Sequence, residues 1–127
     1  MIDGKHVILL VDDDQDLLDS LRLVLEKNGY HVIEALTAEE GLGVYKKDKP
    51  DLIIVDLMME EVDAGTVLVK ELKALGATEP IYMLSSMGDS LTSATPYSEL
   101  GLSGVFQKPI DFNSLLTILR EKLCQPA

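Results

Sequence analysis

Apolar residues fall along the chain in two alternating patterns. Short unbroken runs occur at Val7-Ile8-Leu9-Leu10-Val11, Leu52-Ile53-Ile54-Val55, Ile81-Tyr82-Met83-Leu84 and Gly104-Val105-Phe106, with a weaker fifth at His31-Val32-Ile33. Runs without polar alternation suit strands covered on both faces, as in a parallel sheet wrapped by helices. Between them lie segments of helical spacing. Leu18, Leu21 and Leu25 share one face of a first helix, which Gly29 can end as a left-handed cap. Thr37-Ala38-Glu39-Glu40 reads as a capping box opening a second, and Pro50 closes the connection after it. Leu68, Leu72 and Leu75 mark a third, and Asp111 caps a last one carrying Phe112, Leu115, Leu116, Leu119 and Leu123. Between Asp89 and Leu100, Ser90, Thr92, Ser93, Thr95, Pro96 and Ser98 compete with helical hydrogen bonds or forbid them, so the remaining helix is expected to be short or bent.

The order is strand then helix, five times. With right-handed crossovers this predicts an α/β fold: a doubly wound, five-stranded parallel sheet flanked by five helices in a three-layer sandwich. Ligands in such folds bind beyond the carboxyl ends of the strands, where strand order reverses.

The length of 127 residues matches one domain, expected to occupy 1–127 with its core at about 5–123. With 22 acidic against 11 basic side chains the formal charge is −11. That excess excludes a direct grip on nucleic acid or an anionic membrane, since both require positive charge. The longest apolar run, Val7 to Val11, is far short of the roughly 18 residues of a membrane span, and no leader pattern opens the chain. A lone Cys124 cannot form an internal disulfide, so a reducing, cytoplasmic setting is expected.

The residues that follow each run are polar: Asp12-Asp13 after the first strand, Asp56 after the third, Ser85-Ser86 after the fourth and Lys108-Pro109 after the fifth. In a parallel sheet these positions share one edge, with strands about 4.8 Å apart. Carboxylates gathered there repel unless a cation sits among them, and a hard divalent ion such as Mg²⁺ suits oxygen ligands.

In Leu10-Val11-Asp12-Asp13-Asp14, Ile54-Val55-Asp56-Leu57-Met58-Met59, Met83-Leu84-Ser85-Ser86 and Lys108-Pro109, the chain resembles the receiver domains of two-component response regulators, chemotaxis regulators among them, over essentially its full length. The resemblance implies the flavodoxin-like strand order 2-1-3-4-5. It implies that Asp56 is the phosphoacceptor and that Mg²⁺ (or Mn²⁺) is bound by Asp13, Asp56 and the Met58 backbone carbonyl, with Asp12 acting through water. Ser85 would bond the phosphoryl group, Lys108 would pair with a phosphoryl oxygen, and the Lys108-Pro109 peptide would be cis. The implied function is a signalling switch, not an enzyme, that promotes its own phosphotransfer and slow dephosphorylation. A sensor histidine kinase or phosphotransfer protein would supply the phosphoryl group, and a downstream protein target or a missing output domain would read it. A surface built from the fourth helix, the fifth strand and the last helix would shift as Ser85 moves.

Several positions depart from the family pattern. The resemblance puts the switch residues at Ser85 and at the place three residues before the lysine, but where the family's switch aromatic usually stands this chain has Val105, with Phe106 beside it; successive strand residues face opposite ways, so Phe106 could substitute only if a bulge shifted the register. Glu60-Glu61 replace the common Pro-Gly, and Ala64 stands where Gly is expected. The stretch from Ser85 to Lys108 is about one residue longer than usual. Met58 and Met87 flank the route by which water would reach the phosphoryl group and cannot orient it.

Other readings fit less well. Asp12-Asp13-Asp14 superficially matches the Asp-x-Asp of haloacid-dehalogenase-like phosphatases, where Asp12 would be the nucleophile, but Gln15-Asp16 break that motif. An EF-hand beginning at Asp12 lacks its turn glycine and closing glutamate, with Leu17 and Leu23 in those places. A degenerate receiver that binds partners without phosphorylation is the non-catalytic alternative. His6 and His31, at strand beginnings, read as surface residues without a metal role.

Overall fold

The hydrophobic runs become the strands of one sheet and the periodic segments become helices on its two faces. The structure, a computed structural model, describes residues 5–56, 64–85, 104–107 and 111–123. The strands are β1 (Val7–Val11), β2 (His31–Ala35), β3 (Leu52–Asp56), β4 (Ile81–Ser85) and β5 (Gly104–Gln107). They form a parallel sheet in the order β2-β1-β3-β4-β5. Four helices are present among the described residues: α1 (Gln15–Lys27), α2 (Ala38–Asp48), α3 (Ala64–Ala74) and α4 (Phe112–Leu123). The helix expected between Asp89 and Leu100 lies outside the described residues.

Alternation along the strands divides the core in two. Ile8, Leu10, Leu52, Ile54, Tyr82, Leu84 and Phe106 meet α1 and α4 through Leu18, Leu21, Leu25, Leu115, Leu116 and Leu119. Leu9, Val11, Ile53, Val55, Ile81 and Met83 meet α2 and α3 through Tyr45, Leu68, Val69 and Leu72. All five residues of β1 are buried because strands flank it and helices cover both faces.

The helix ends follow local chemistry. Asp111 Oδ1 accepts from the N–H groups of Asn113 and Ser114 and caps α4. Thr37 Oγ1 accepts from the Glu40 N–H at 3.0 Å, while Glu40 Oε1 accepts from the Leu36 N–H, one residue earlier than in the standard reciprocal box. Gly29 takes φ +90° directly after the Asn28 C-cap of α1. Two expectations are corrected. Leu75 lies beyond the end of α3 and is exposed, because Gly76 at φ +87° turns the chain away before another helical turn could bury it. His6, one residue before β1, is half-buried with both ring nitrogens shielded from solvent.

The edge strand β2 reads weakly in sequence for a physical reason. Its pattern contains Glu34, whose carboxylate accepts from Arg22 Nε of α1 at 3.0 Å. This bond is the largest influence raising the Arg22 pKa further above its ordinary value. An inward charge on an edge strand also opposes pairing with another chain.

Candidate functional site

The order β2-β1-β3 places the topological switch point between β1 and β3, since chain connections leave β1 in opposite directions across the sheet. Val11 is the register partner of Val55, so the next residues, Asp12 and Asp56, emerge side by side at the carboxyl edge. Asp13 follows in the turn into α1. One carboxylate oxygen from each of Asp12, Asp13 and Asp56 lies within 4.8 Å of the others. Asp12 and Asp56 are buried, at 1% and 4% exposure, whereas Asp13 is exposed.

Backbone hydrogen bonds hold Asp12. Its N–H donates to the Ala35 carbonyl of β2 at 3.1 Å. Its Oδ1 accepts from the Asp14 N–H at 2.9 Å. Asp14 in turn caps α1, with Oδ1 accepting from the N–H groups of Asp16 and Leu17 at 3.1 and 3.3 Å. Strand, turn and helix are thereby joined around the carboxylate. The sequence reading placed Asp14 in the motif without seeing this role; an Asp two residues after another polar strand terminus and immediately before a helix is the signal that marks it.

Behind the cluster, Gly41 of α2 lets the helix approach β1 closely. A Cβ at that position would stand 2.9 Å from Val11 Cγ2 and 3.3 Å from Leu68 Cδ2. The last residue of β1 before the acids is thus clamped between α2 and α3.

The donor set is chemically uniform. Carboxylate oxygens at this spacing repel one another, and they match the ligand type preferred by a hard divalent cation such as Mg²⁺. The residues present therefore fit such an ion. No grouping suited to a softer metal occurs among the described residues.

At the other strand ends, Ser85 closes β4 and pairs in register with Gln107, the last residue of β5. Lys108, Pro109, Met58 and Met87, together with Glu60 and Glu61, lie outside the described residues, as does the Lys108-Pro109 peptide. The pairing of β5 runs without a break through Tyr82↔Gly104, Met83↔Val105, Leu84↔Phe106 and Ser85↔Gln107. Val105 consequently packs with the α2–α3 core and Phe106 with the α1–α4 core. No bulge brings the aromatic onto Val105's face within this strand.

A family model for the response regulator receiver domain matches residues 8–120. The chain belongs to that family. GlrR, a transcriptional regulatory protein of Escherichia coli (strain K12), is 37% identical over 120 residues, covering 94% of this chain and 27% of that protein. The response regulator MprA of Mycolicibacterium vanbaalenii is 34% identical over 116 residues, 91% of this chain and 49% of its own length. The chain thus spans half or less of these curated relatives. Among solved structures, a receiver domain protein (CheY-like) from Methanospirillum hungatei JF-1 superposes with a TM-score of 0.81 at 31% identity, covering 95% of each chain. The chemotaxis protein CheY4 of Vibrio cholerae gives 0.82 at 28% identity, covering 93% of this chain and 98% of that one. Receiver domains of this family are signalling switches of two-component systems. No helix among the described residues is long and apolar enough to cross a membrane.

Proposed function

We propose that this receiver domain accepts a phosphoryl group on Asp56 from a phosphohistidine of a sensor kinase or phosphotransfer protein, in a reaction that needs Mg²⁺ or Mn²⁺. The observation that carries the reading is the convergence of Asp12, Asp13 and Asp56 at the switch point.

An oxygen of the Asp56 carboxylate attacks phosphorus as the P–N bond to the donor imidazole breaks; the ring nitrogen keeps the electron pair, and an aspartyl phosphate forms. Such a transfer proceeds through a loose, in-line transition state, so positioning and charge neutralisation carry most of the catalysis. Asp13, Asp56 and the Met58 carbonyl would hold the cation, with Asp12 acting through water. When bound, the ion neutralises the approaching phosphoryl oxygens and the carboxylates around them. Lys108 pairs with a phosphoryl oxygen and Ser85 donates a hydrogen bond to another. Burial of Asp56 limits the access of water, and the apolar Met58 and Met87 orient none, so self-dephosphorylation is slow.

Phosphorylation replaces the single charge of the carboxylate with a phosphoryl group carrying about two, a net gain of about one negative charge. Ser85 moves to meet that group, and the segment between β4 and β5 shifts population toward a partner-binding form. The curated relatives are longer, so the output lies either in a further domain or in a separate cytoplasmic protein that docks on this one. Mass measurement of the protein after incubation with Mg²⁺ and acetyl phosphate tests the chemistry. One phosphoryl group should be added to the parent and none to Asp56→Asn.

A further inference from the structure

The strand that leads into Lys108 is weakly built by its backbone alone. Among the described residues β5 is four residues long, ends the sheet and is paired only with β4. It opens with Gly104, which offers no side chain to hold it in place. Tyr82 on β4 covers the gap. A Cβ at residue 104 would stand 2.8 Å from Tyr82 Cε2 and 3.2 Å from Cδ2, so the ring lies directly over the glycine. The same ring stacks on Phe106, with centroids 5.1 Å apart and planes inclined by 29°. Tyr82 thus bears on alternate residues of β5 along one face. Both aromatics are buried against Leu115, Leu116 and Leu119 of α4.

We propose that Tyr82 and Phe106 are positioning residues for phosphotransfer: their stack over Gly104 sets the offset between the ends of β4 and β5, the two strands that end at Ser85 and at Gln107, the residue before Lys108 in the chain. This rests on the phosphoacceptor reading of Asp56. Ser85 is three residues beyond Tyr82 on β4, and Lys108 is two beyond Phe106 in the chain. Phe106 therefore acts as an anchor on the face opposite Val105 and takes no part in a rotamer switch on Val105's face. The carboxylates that would hold the metal, Asp12 and Asp13 just after β1 and Asp56 at the end of β3, are not members of the core cluster that contains the stack. Acceptor activation and metal binding are thereby separable: displacing the β5 end by about 1 Å penalises transfer while leaving the acid cluster intact.

The test compares phosphorylation by acetyl phosphate in the parent, Phe106→Leu, Tyr82→Leu and Tyr82→Phe, at a temperature where melting curves show each protein folded. The half-saturating Mg²⁺ concentration is measured in parallel. The expected result is a rate about tenfold lower in each leucine variant, an unchanged Mg²⁺ midpoint, and near-parental rate in Tyr82→Phe, which keeps the ring. Rates within twofold of the parent in a folded leucine variant would overturn the proposal, as would losses matched by a weakened Mg²⁺ midpoint. If the parent itself takes up no phosphoryl group, the phosphoacceptor reading fails together with this one. If the parent is phosphorylated and the leucine variants keep pace with it, this proposal alone fails.

Discussion

The Asp14 N–H donates to Asp12 Oδ1 at 2.9 Å while the Asp14 carboxylate caps helix α1, so one residue orients the buried acid and starts the helix that follows it. The two tasks use different groups of Asp14. Replacing its side chain removes the cap and leaves the backbone donor. Asp14→Ala is expected to lower stability by about 1 kcal/mol, and Asp14→Asn to restore most of it. Urea unfolding measures both; equal stability of all three proteins would contradict the capping role.

A bound Mg²⁺ would offset the crowding of carboxylates at the switch point and so link metal binding to stability. Asp13 is the exposed member, so it can be neutralised with little disturbance of packing. Asp13→Asn is expected to raise the melting temperature of the metal-free protein by relieving repulsion and to weaken Mg²⁺ binding. At a concentration near 100 times the parental Kd, Mg²⁺ should stabilise the parent by about 2.7 kcal/mol and the variant by well under half of that. Thermal melts with and without Mg²⁺ read the difference. An identical Mg²⁺ shift in the two proteins would remove Asp13 from the ligand set.

Two glycines in or beside regular structure should respond oppositely to alanine. Gly43 is exposed within α2, and a Cβ there would meet nothing within 4 Å. Gly43→Ala is expected to stabilise by about 0.5–1 kcal/mol through reduced freedom of the unfolded chain. Gly104→Ala would drive a methyl into the Tyr82 ring and is expected to destabilise by about 1–3 kcal/mol. Chemical denaturation of the two variants checks the pair of signs.

Alkaline titration should report buried phenols. Burial is the main influence raising the pKa values of Tyr30, Tyr45 and Tyr82 above the ordinary 10.0; the hydrogen bond to Glu79 adds to it at Tyr45, and the charge of Glu121 adds to it at Tyr82. The folded state therefore holds these protons more tightly than the unfolded chain does. Their contribution to stability is full below pH 10 and is lost as pH rises through the higher folded-state values. Ultraviolet titration of the phenols should show them ionising later in the native protein than in denaturant.

The strand ends were legible because continuous apolar runs stop abruptly at Asp12, Asp56 and Ser85, and parallel topology turns those stops into one edge. The doubly wound sheet followed from the same runs, and the strand order from the family resemblance. What escaped were features made by residues distant in sequence. Glu34 interrupts the apolar pattern of β2 because its partner, Arg22, is on α1. Asp51 Oδ2 accepts from the Val7 N–H at 2.7 Å, a side chain standing in where a ladder carbonyl would serve, and nothing local to either residue announces it. The Tyr82–Phe106 stack was hidden in the same way, since it depends on which face of β5 each residue takes, and only the register reveals that.

The most direct measurement is the mass of the intact protein after exposure to Mg²⁺ and acetyl phosphate, run beside Asp56→Asn and beside the parent in excess chelator. The expected result is one added phosphoryl group in the parent with Mg²⁺, and none in the variant or the chelated sample. An unmodified parent, or an equally modified Asp56→Asn, would contradict the assignment of Asp56 as the phosphoacceptor.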